Sequence, residues 1–234
     1  MEQKDHTDVQ SAHRNPLLDV AAAVFSFAHS SNSSDELFIV DFGDRVSIGQ
    51  LGGKPFTSDA KILEQAVLGV SARGQTALYD AVIEGLRHLE LGSRERKALV
   101  IVSDGGDNAS VHQYSEALAL ARSAHAVIYS IVLAGTSDEE ENPRALERLC
   151  KDTGGIAFVP RPRQHISEVA EIIARDLREQ YTLGYTPARS PTRNSFRKIM
   201  VQVAASGHSG LRVRTRTGYM ASATMSSQPG DGGS

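Results

Sequence analysis

The chain has 234 residues, 40% of them hydrophobic and 23% charged, with a formal net charge of -3, enough to bury a real core in one domain or a domain with an extension. That balance gives no reason to expect nucleic acid or an anionic membrane as a partner, and no apolar run approaches the length needed to span a bilayer. The single cysteine, Cys150, excludes an internal disulfide framework and a Cys-based zinc site.

Residues 1–14 open with MEQKDHTDVQ, a polar and disordered start in which no signal peptide is visible. Pro16 suits a helix first turn, and Leu17, Val20, Ala21, Val24, Phe25 and Ala28 form an apolar helical stripe ending near Ser30. Glu36 to Phe42 (ELFIVDF) reads as a strand, with a short second strand over Val46–Leu51 before Gly52-Gly53. A helix starts at Ser58-Asp59 and runs through Val67. Gly74-Gln75-Thr76-Ala77 opens another, with apolar residues at helical spacing to Leu91 and Thr76 at the N-cap position.

Lys97 to Asn108, KALVIVSDGGDN, organises the chain. Ala98–Val102 is apolar and rich in β-branched residues, as in a parallel strand buried on both faces. It stops at Ser103-Asp104-Gly105-Gly106-Asp107-Asn108, which places the Asp104 carboxylate at the carboxyl edge of the sheet, where open α/β folds bind ligands. The glycines permit a tight turn and the close approach of another group. A helix over His112–Ala124, a buried strand over Ala126–Leu133 and a helix from Asn142-Pro143 through Lys151 follow, with Cys150 as a small core residue. Asp152–Gly155 turns into a short strand, Ile156–Val159, and Gln164–Gln180 is an amphipathic helix. Strands alternating with helices predict an α/β fold: a doubly wound, mostly parallel sheet with helices on both faces, over residues 15–180. Residues 181–220 change character. Tyr181–Tyr185, Phe196–Val203 and Leu211–Thr217 alternate with period two, predicting a small antiparallel β extension whose Arg197, Lys198, Arg212, Arg214 and Arg216 form a solvated basic face. Residues 221–234 read as a disordered tail.

GQTALYDAV and, about twenty residues later, ALVIVSDGGDN together resemble the von Willebrand factor A (VWA) domain. The closing QYTLGY, FRKIMVQV and RTGYMA resemble the acidobacterial-type VWFA-related subgroup. The resemblance implies a Rossmann-like, non-enzymatic, protein-binding module with a metal-ion-dependent adhesion site, in which Thr76 and Asp104 hold Mg²⁺ and a protein ligand supplies an acidic residue. The family also carries a D-x-S-x-S motif after a first, central strand. Here it is expected near Asp8, but Gln10 and Ala12 stand where the serines belong, so the site is degenerate and Asp8 only assists. MEQKDHT cannot supply the apolar strand expected ahead of Asp8. The resemblance places that strand between 36–42 and 97–103, which would both lose a pairing neighbour. A truncated N-terminus would account for this, as would a C-terminal strand or a partner strand in the gap; truncation would imply a secreted or periplasmic protein.

Other readings compete. A metal-independent scaffold piece of a larger assembly would use the β extension to add a strand to a neighbour. A metal-dependent hydrolase would use Asp104, Asp107 and His112 at the sheet edge. No P-loop, G-x-S-x-G, H-E-x-x-H or G-x-G-x-x-G supports an enzyme. Asp41 and Asp107 read as turn or surface carboxylates, and Asp80 as a brace for its own helix.

Overall fold

A computed structural model describes residues 16–49, 51–69, 74–133, 142–161, 164–188, 195–204, 207 and 210–221. The apolar runs form the expected parallel strands. β3 (Lys97–Ser103) pairs with β4 (Ala126–Val132) from Lys97↔Ala126 to Ser103↔Val132, and β4 pairs with β5 (Ala157–Phe158), giving the order β3-β4-β5. β4 is the central strand: Ile128, Tyr129 and Ile131 are all 0% exposed.

Helices cover both faces. On one, α3 (Leu78–Leu89), α4 (Tyr114–Ser123) and α5 (Pro143–Thr153) pack Leu78, Val82, Leu86, Ala117, Leu146 and Leu149 against Ile101 and Ile128. On the other, α1 (Pro16–Ser30) and α6 (Ile166–Arg178) pack Ala23, Val169 and Ile173 against Tyr129 and Ile131. α2 (Ala60–Leu68) is capped by Asp59, which accepts the Lys61 N–H at 2.9 Å, and packs on α1. Local chemistry sets the helix ends. Asn142 caps α5 ahead of Pro143, and Gly154 closes it in the left-handed region at φ 94°. Gln113 and Glu116 form a reciprocal capping box on α4, so that helix starts at Tyr114 and not at His112. Gly155 is required by close approach: a Cβ there would lie 1.9 Å from the Ile128 carbonyl oxygen.

Three expectations need correction. The strand expected over 36–42 is regular only as β1 (Val40–Phe42). It pairs antiparallel with β2 (Val46–Ile48) in a sheet separate from β3-β4-β5, while Leu37 makes one isolated bridge to Thr57. In the C-terminal part the regular strands are β6 (Ser195–Lys198) and β7 (Gly218–Ala221), paired antiparallel. Tyr181–Tyr185 and Leu211–Thr217 form no strand. Alternation predicts an extended chain, but a strand also needs a ladder partner.

The basic face is not uniformly solvated either. Lys198 and Arg212 are exposed, but Arg216 donates Nη2 to the carbonyls of Arg122 (2.8 Å) and Ala124 (3.0 Å), and burial lowers its pKa. Arg214 donates Nε to the Gly154 carbonyl at 3.0 Å and pairs with Asp176. Asp176 also accepts the buried Tyr129 hydroxyl at 2.5 Å. These side chains bond the end of the chain to the α/β body.

Candidate functional site

β3 delivers Ser103 and Asp104 to the carboxyl edge, and the chain turns at once. Gly105 has φ 87°, and a Cβ there would lie 2.5 Å from the Asn142 carbonyl oxygen, so the tight turn and the close approach expected of this pair both fall on Gly105. Ser103 Oγ accepts the Gly105 N–H at 3.1 Å, and Asp104 Oδ1 accepts the Gly106 N–H at 2.9 Å. The carboxylate is thereby fixed by its own turn.

The loop is then bolted to the start of α3. The Thr76 N–H donates to Asn108 Oδ1 at 2.7 Å, and the Thr76 carbonyl accepts the N–H groups of Asn108 (3.0 Å) and Ala109 (3.2 Å). Asp107 Oδ2 accepts the Tyr79 N–H at 2.9 Å and the Ser110 hydroxyl at 2.5 Å, while Ser110 Oγ accepts the Asp80 N–H at 3.1 Å. Asp80 accepts the backbone N–H groups of Val111 and His112, both at 2.9 Å, and pairs with His112 Nδ1 at 2.7 Å. Burial alone would raise the Asp80 carboxyl, but the His112 and Val111 donors outweigh it and hold it below the ordinary aspartate value.

Thr76 is not the N-cap of α3. Ala77 holds that position with no side-chain cap bond, and a distant carboxylate, Asp107, satisfies the exposed N–H of Tyr79. Asp107 is therefore a helix cap and not a plain surface carboxylate. Asp41 lies within β1, half-buried, and burial pushes its carboxyl up. Asp80 braces the loop that carries His112 rather than its own helix end. Two further anchors were invisible in the sequence: Asn108, and Asp44, which accepts the Gln75 N–H at 2.5 Å. Both bonds span more than 30 residues, and no local pattern announces them.

The structure thus brings Asp104 and Thr76 to one edge. Asp8 lies outside the described residues. Among the described residues, the Asp104 Oδ2 and Thr76 Oγ1 oxygens have no protein hydrogen-bond partner. No three of His, Cys, Asp and Glu among them converge on a point that could hold a metal ion. One carboxylate and one hydroxyl fit a hard cation of the Mg²⁺ type that keeps most of its water, and do not fit a closed protein cage.

No protein-family profile matches the chain, and no curated protein matches it. Solved structures do: the chain has the α/β fold of von Willebrand factor type A domains. It is similar to a von Willebrand factor type A protein from Catenulispora acidiphila, with TM-score 0.61 and 13% identity over 69% of this chain and 38% of that one. It is also similar to an aerotolerance-related membrane protein from Bacteroides fragilis (TM-score 0.55, 13% identity, 70% of this chain and 89% of that one). BatB from Bacteroides thetaiotaomicron gives TM-score 0.53 and 15% identity over the same shares. At these identities the likeness is one of fold.

Proposed function

We propose that the chain is a non-enzymatic protein-binding module whose ligand docks at the carboxyl edge of the sheet, against Asp104 and Thr76. One observation carries this reading: among the described residues two hard oxygens, Asp104 Oδ2 and Thr76 Oγ1, have no protein hydrogen-bond partner, while the neighbouring Asp107, Ser110 and Asp80–His112 side chains are engaged within the loop. A weakly held Mg²⁺ on those oxygens would accept one carboxylate from the ligand. Catalysis is disfavoured because the remaining candidates are occupied. Asp107 caps α3, and His112 is bound to Asp80.

The test is selection of peptides from a random library on wild-type and Asp104→Ala protein, each with Mg²⁺ and with EDTA. Selected peptides are expected to carry Asp or Glu and to lose binding to Asp104→Ala. Peptides that bind both proteins equally would overturn the site, and turnover of a phosphate or carboxyl ester abolished by Asp104→Ala would overturn the non-enzymatic reading.

A further inference from the structure

The turn between β1 and β2 sits against the start of α3. Gly43 O accepts the Ala77 N–H at 3.0 Å, and Asp44 Oδ1 accepts the Gln75 N–H at 2.5 Å. Both chain neighbours of Thr76 are therefore held to Gly43-Asp44-Arg45. The turn is also closed on itself, because the Gly43 N–H donates to the Arg45 carbonyl at 3.1 Å. Gly74 is fitted to this contact: its φ is 98°, and a Cβ there would clash with the Asp44 carboxylate.

These bonds place the backbone of Arg45 beside the Asp104–Thr76 edge, and the residue is exposed. Among the described residues its guanidinium makes no hydrogen bond or ion pair. Asp44, the carboxylate next to it in the chain, is committed to Gln75. An exposed arginine is usually a solvated charge of little energetic weight. Arg45 differs in being carried by a turn that is bonded to the candidate site on both sides of Thr76.

The surroundings are acidic. Asp44, Asp80, Asp104 and Asp107 all belong to the start of α3 or to the loops bonded to it. Backbone N–H donors satisfy these carboxylates and leave their charge in place. His112 is bound to Asp80. A ligand carboxylate that approaches Asp104 and Thr76 meets this field, and one weakly held Mg²⁺ offsets only part of it. An acidic ligand therefore calls for a second positive group at the same edge. Arg144, in the first turn of α5, also makes no ion pair among the described residues. It directly follows the four carboxylates Asp138–Glu141 in sequence, which oppose its charge. Arg45 has one neighbouring carboxylate, and that one is engaged.

Resting on the binding reading above, we propose that Arg45 is a second carboxylate receptor at this edge and that the ligand is a diacidic segment of a partner protein. One ligand carboxylate reaches the ion on Asp104 and Thr76. The other pairs with the Arg45 guanidinium, whose planar fork takes a carboxylate bidentately and needs no metal. The same guanidinium opposes a basic ligand that would pair directly with Asp104.

The experiment uses rhodamine-labelled Gly/Ser peptides that carry one Asp, two Asp separated by one to four residues, or the same patterns in Lys. Binding in Mg²⁺ is read by fluorescence anisotropy on wild type, Arg45→Gln, Arg45→Lys, Arg144→Gln and Asp104→Ala. At least one two-Asp peptide is expected to bind wild type about tenfold more tightly than the one-Asp peptide. Arg45→Gln is expected to abolish that advantage, Arg45→Lys to keep only part of it because an ammonium lacks the fork, and Arg144→Gln to keep it in full. A wild-type urea midpoint for Arg45→Gln separates loss of binding from loss of fold. An advantage of the second Asp that survives Arg45→Gln, or that Arg144→Gln removes equally, would overturn the role of Arg45. Equal affinity of wild type and Asp104→Ala would instead overturn the Asp104 site, so the two readings fail separately. No binding of any acidic peptide at about 1 mM protein, or tighter binding of the Lys peptides, would overturn both.

Discussion

Asp107→Ala is the substitution that best separates the observed geometry from the simple reading of the sequence. The Asp107 carboxylate accepts the Tyr79 N–H in the first turn of α3 at 2.9 Å and the Ser110 hydroxyl at 2.5 Å. Loss of a helix-capping acceptor costs about 0.5–2 kcal/mol, and loss of the negative charge at a helix N-terminus costs about 0.3–1 kcal/mol more. The orphaned Ser110 hydroxyl adds to this, so Asp107→Ala is expected to cost about 2–3 kcal/mol. With a urea slope of about 2 kcal/mol/M, the midpoint falls by about 1 M. Asp107→Asn keeps an acceptor and loses the charge, and is expected to fall between the two at about 1 kcal/mol. Thr76→Val removes the hydroxyl and keeps the shape. Because that hydroxyl caps nothing, the change is expected to stay within about 0.5 kcal/mol of wild type. The assay is urea unfolding followed by far-ultraviolet circular dichroism. An Asp107→Ala midpoint equal to wild type, or a Thr76→Val loss larger than that of Asp107→Ala, would refute the assignment of the cap.

Gly155→Ala drives a Cβ to 1.9 Å from the Ile128 carbonyl oxygen on the central strand. It is expected to cost about 3 kcal/mol or more, seen as a fall in thermal midpoint or a loss of soluble protein, and wild-type stability would contradict the close approach. Cys150 is 0% exposed, and burial pushes its thiol up to about 11, so iodoacetamide at pH 8 is expected to label it only in denaturant. Rapid labelling of the native protein would contradict the burial of Cys150. Burial alone would raise Asp176, but Arg214 and the Tyr129 hydroxyl outweigh it and hold its carboxyl below the ordinary value of 3.8. A carboxyl depressed by folding adds stability that is present above its unfolded pKa and lost as pH falls through the folded one, here below about pH 4. Arg214→Ala is therefore expected to lower the urea midpoint at pH 7 and to flatten its decline as the pH falls below about 4, whereas parallel pH curves would count against the pair.

The legible parts of the fold were those written in local pattern. Ala98–Val102 and Ala126–Leu133 announced β3 and β4 because both faces of those strands are covered, leaving no polar alternation to confuse them. Asn142-Pro143 announced the start of α5 because capping is chemistry within a few residues, whereas the helix runs past the expected end at Lys151 to Thr153, where Gly154 caps it. The position of Asp104 at the carboxyl edge was legible because it directly follows a buried strand. The Asp107–Tyr79 bond was not, because it joins residues 28 apart and depends on how β3 and α3 meet in space. Thr76 misled for the same reason: a hydroxyl one residue ahead of the cap position looks like a cap until a remote carboxylate takes its work. The C-terminal segments failed differently. Their period-two alternation is genuine, but Arg214 and Arg216 spend their guanidinium groups on Asp176 and on backbone carbonyls of the body, where a strand pattern predicts a solvated row.

The bonding of the edge also bears on what an ion could add to it. A loop organised by a metal holds its shape through the ligands and loosens when the ion leaves. Here the span from Asp104 to His112 is held by the Asp104 turn, the Thr76–Asn108 bracket, the Asp107–Ser110–Tyr79 cap and the Asp80–His112 pair, none of which uses an ion. An ion at Asp104 and Thr76 would therefore contribute attraction for an acidic ligand and little to the shape of the surface. The amides of Thr76, Tyr79, Gly106 and Val111, which donate hydrogen bonds within this network, are accordingly expected to be protected from hydrogen exchange in EDTA as well as in Mg²⁺. Protection that appears only when Mg²⁺ is added would show that the ion orders the loop, and the loop's own hydrogen bonds would then not be what sets the surface.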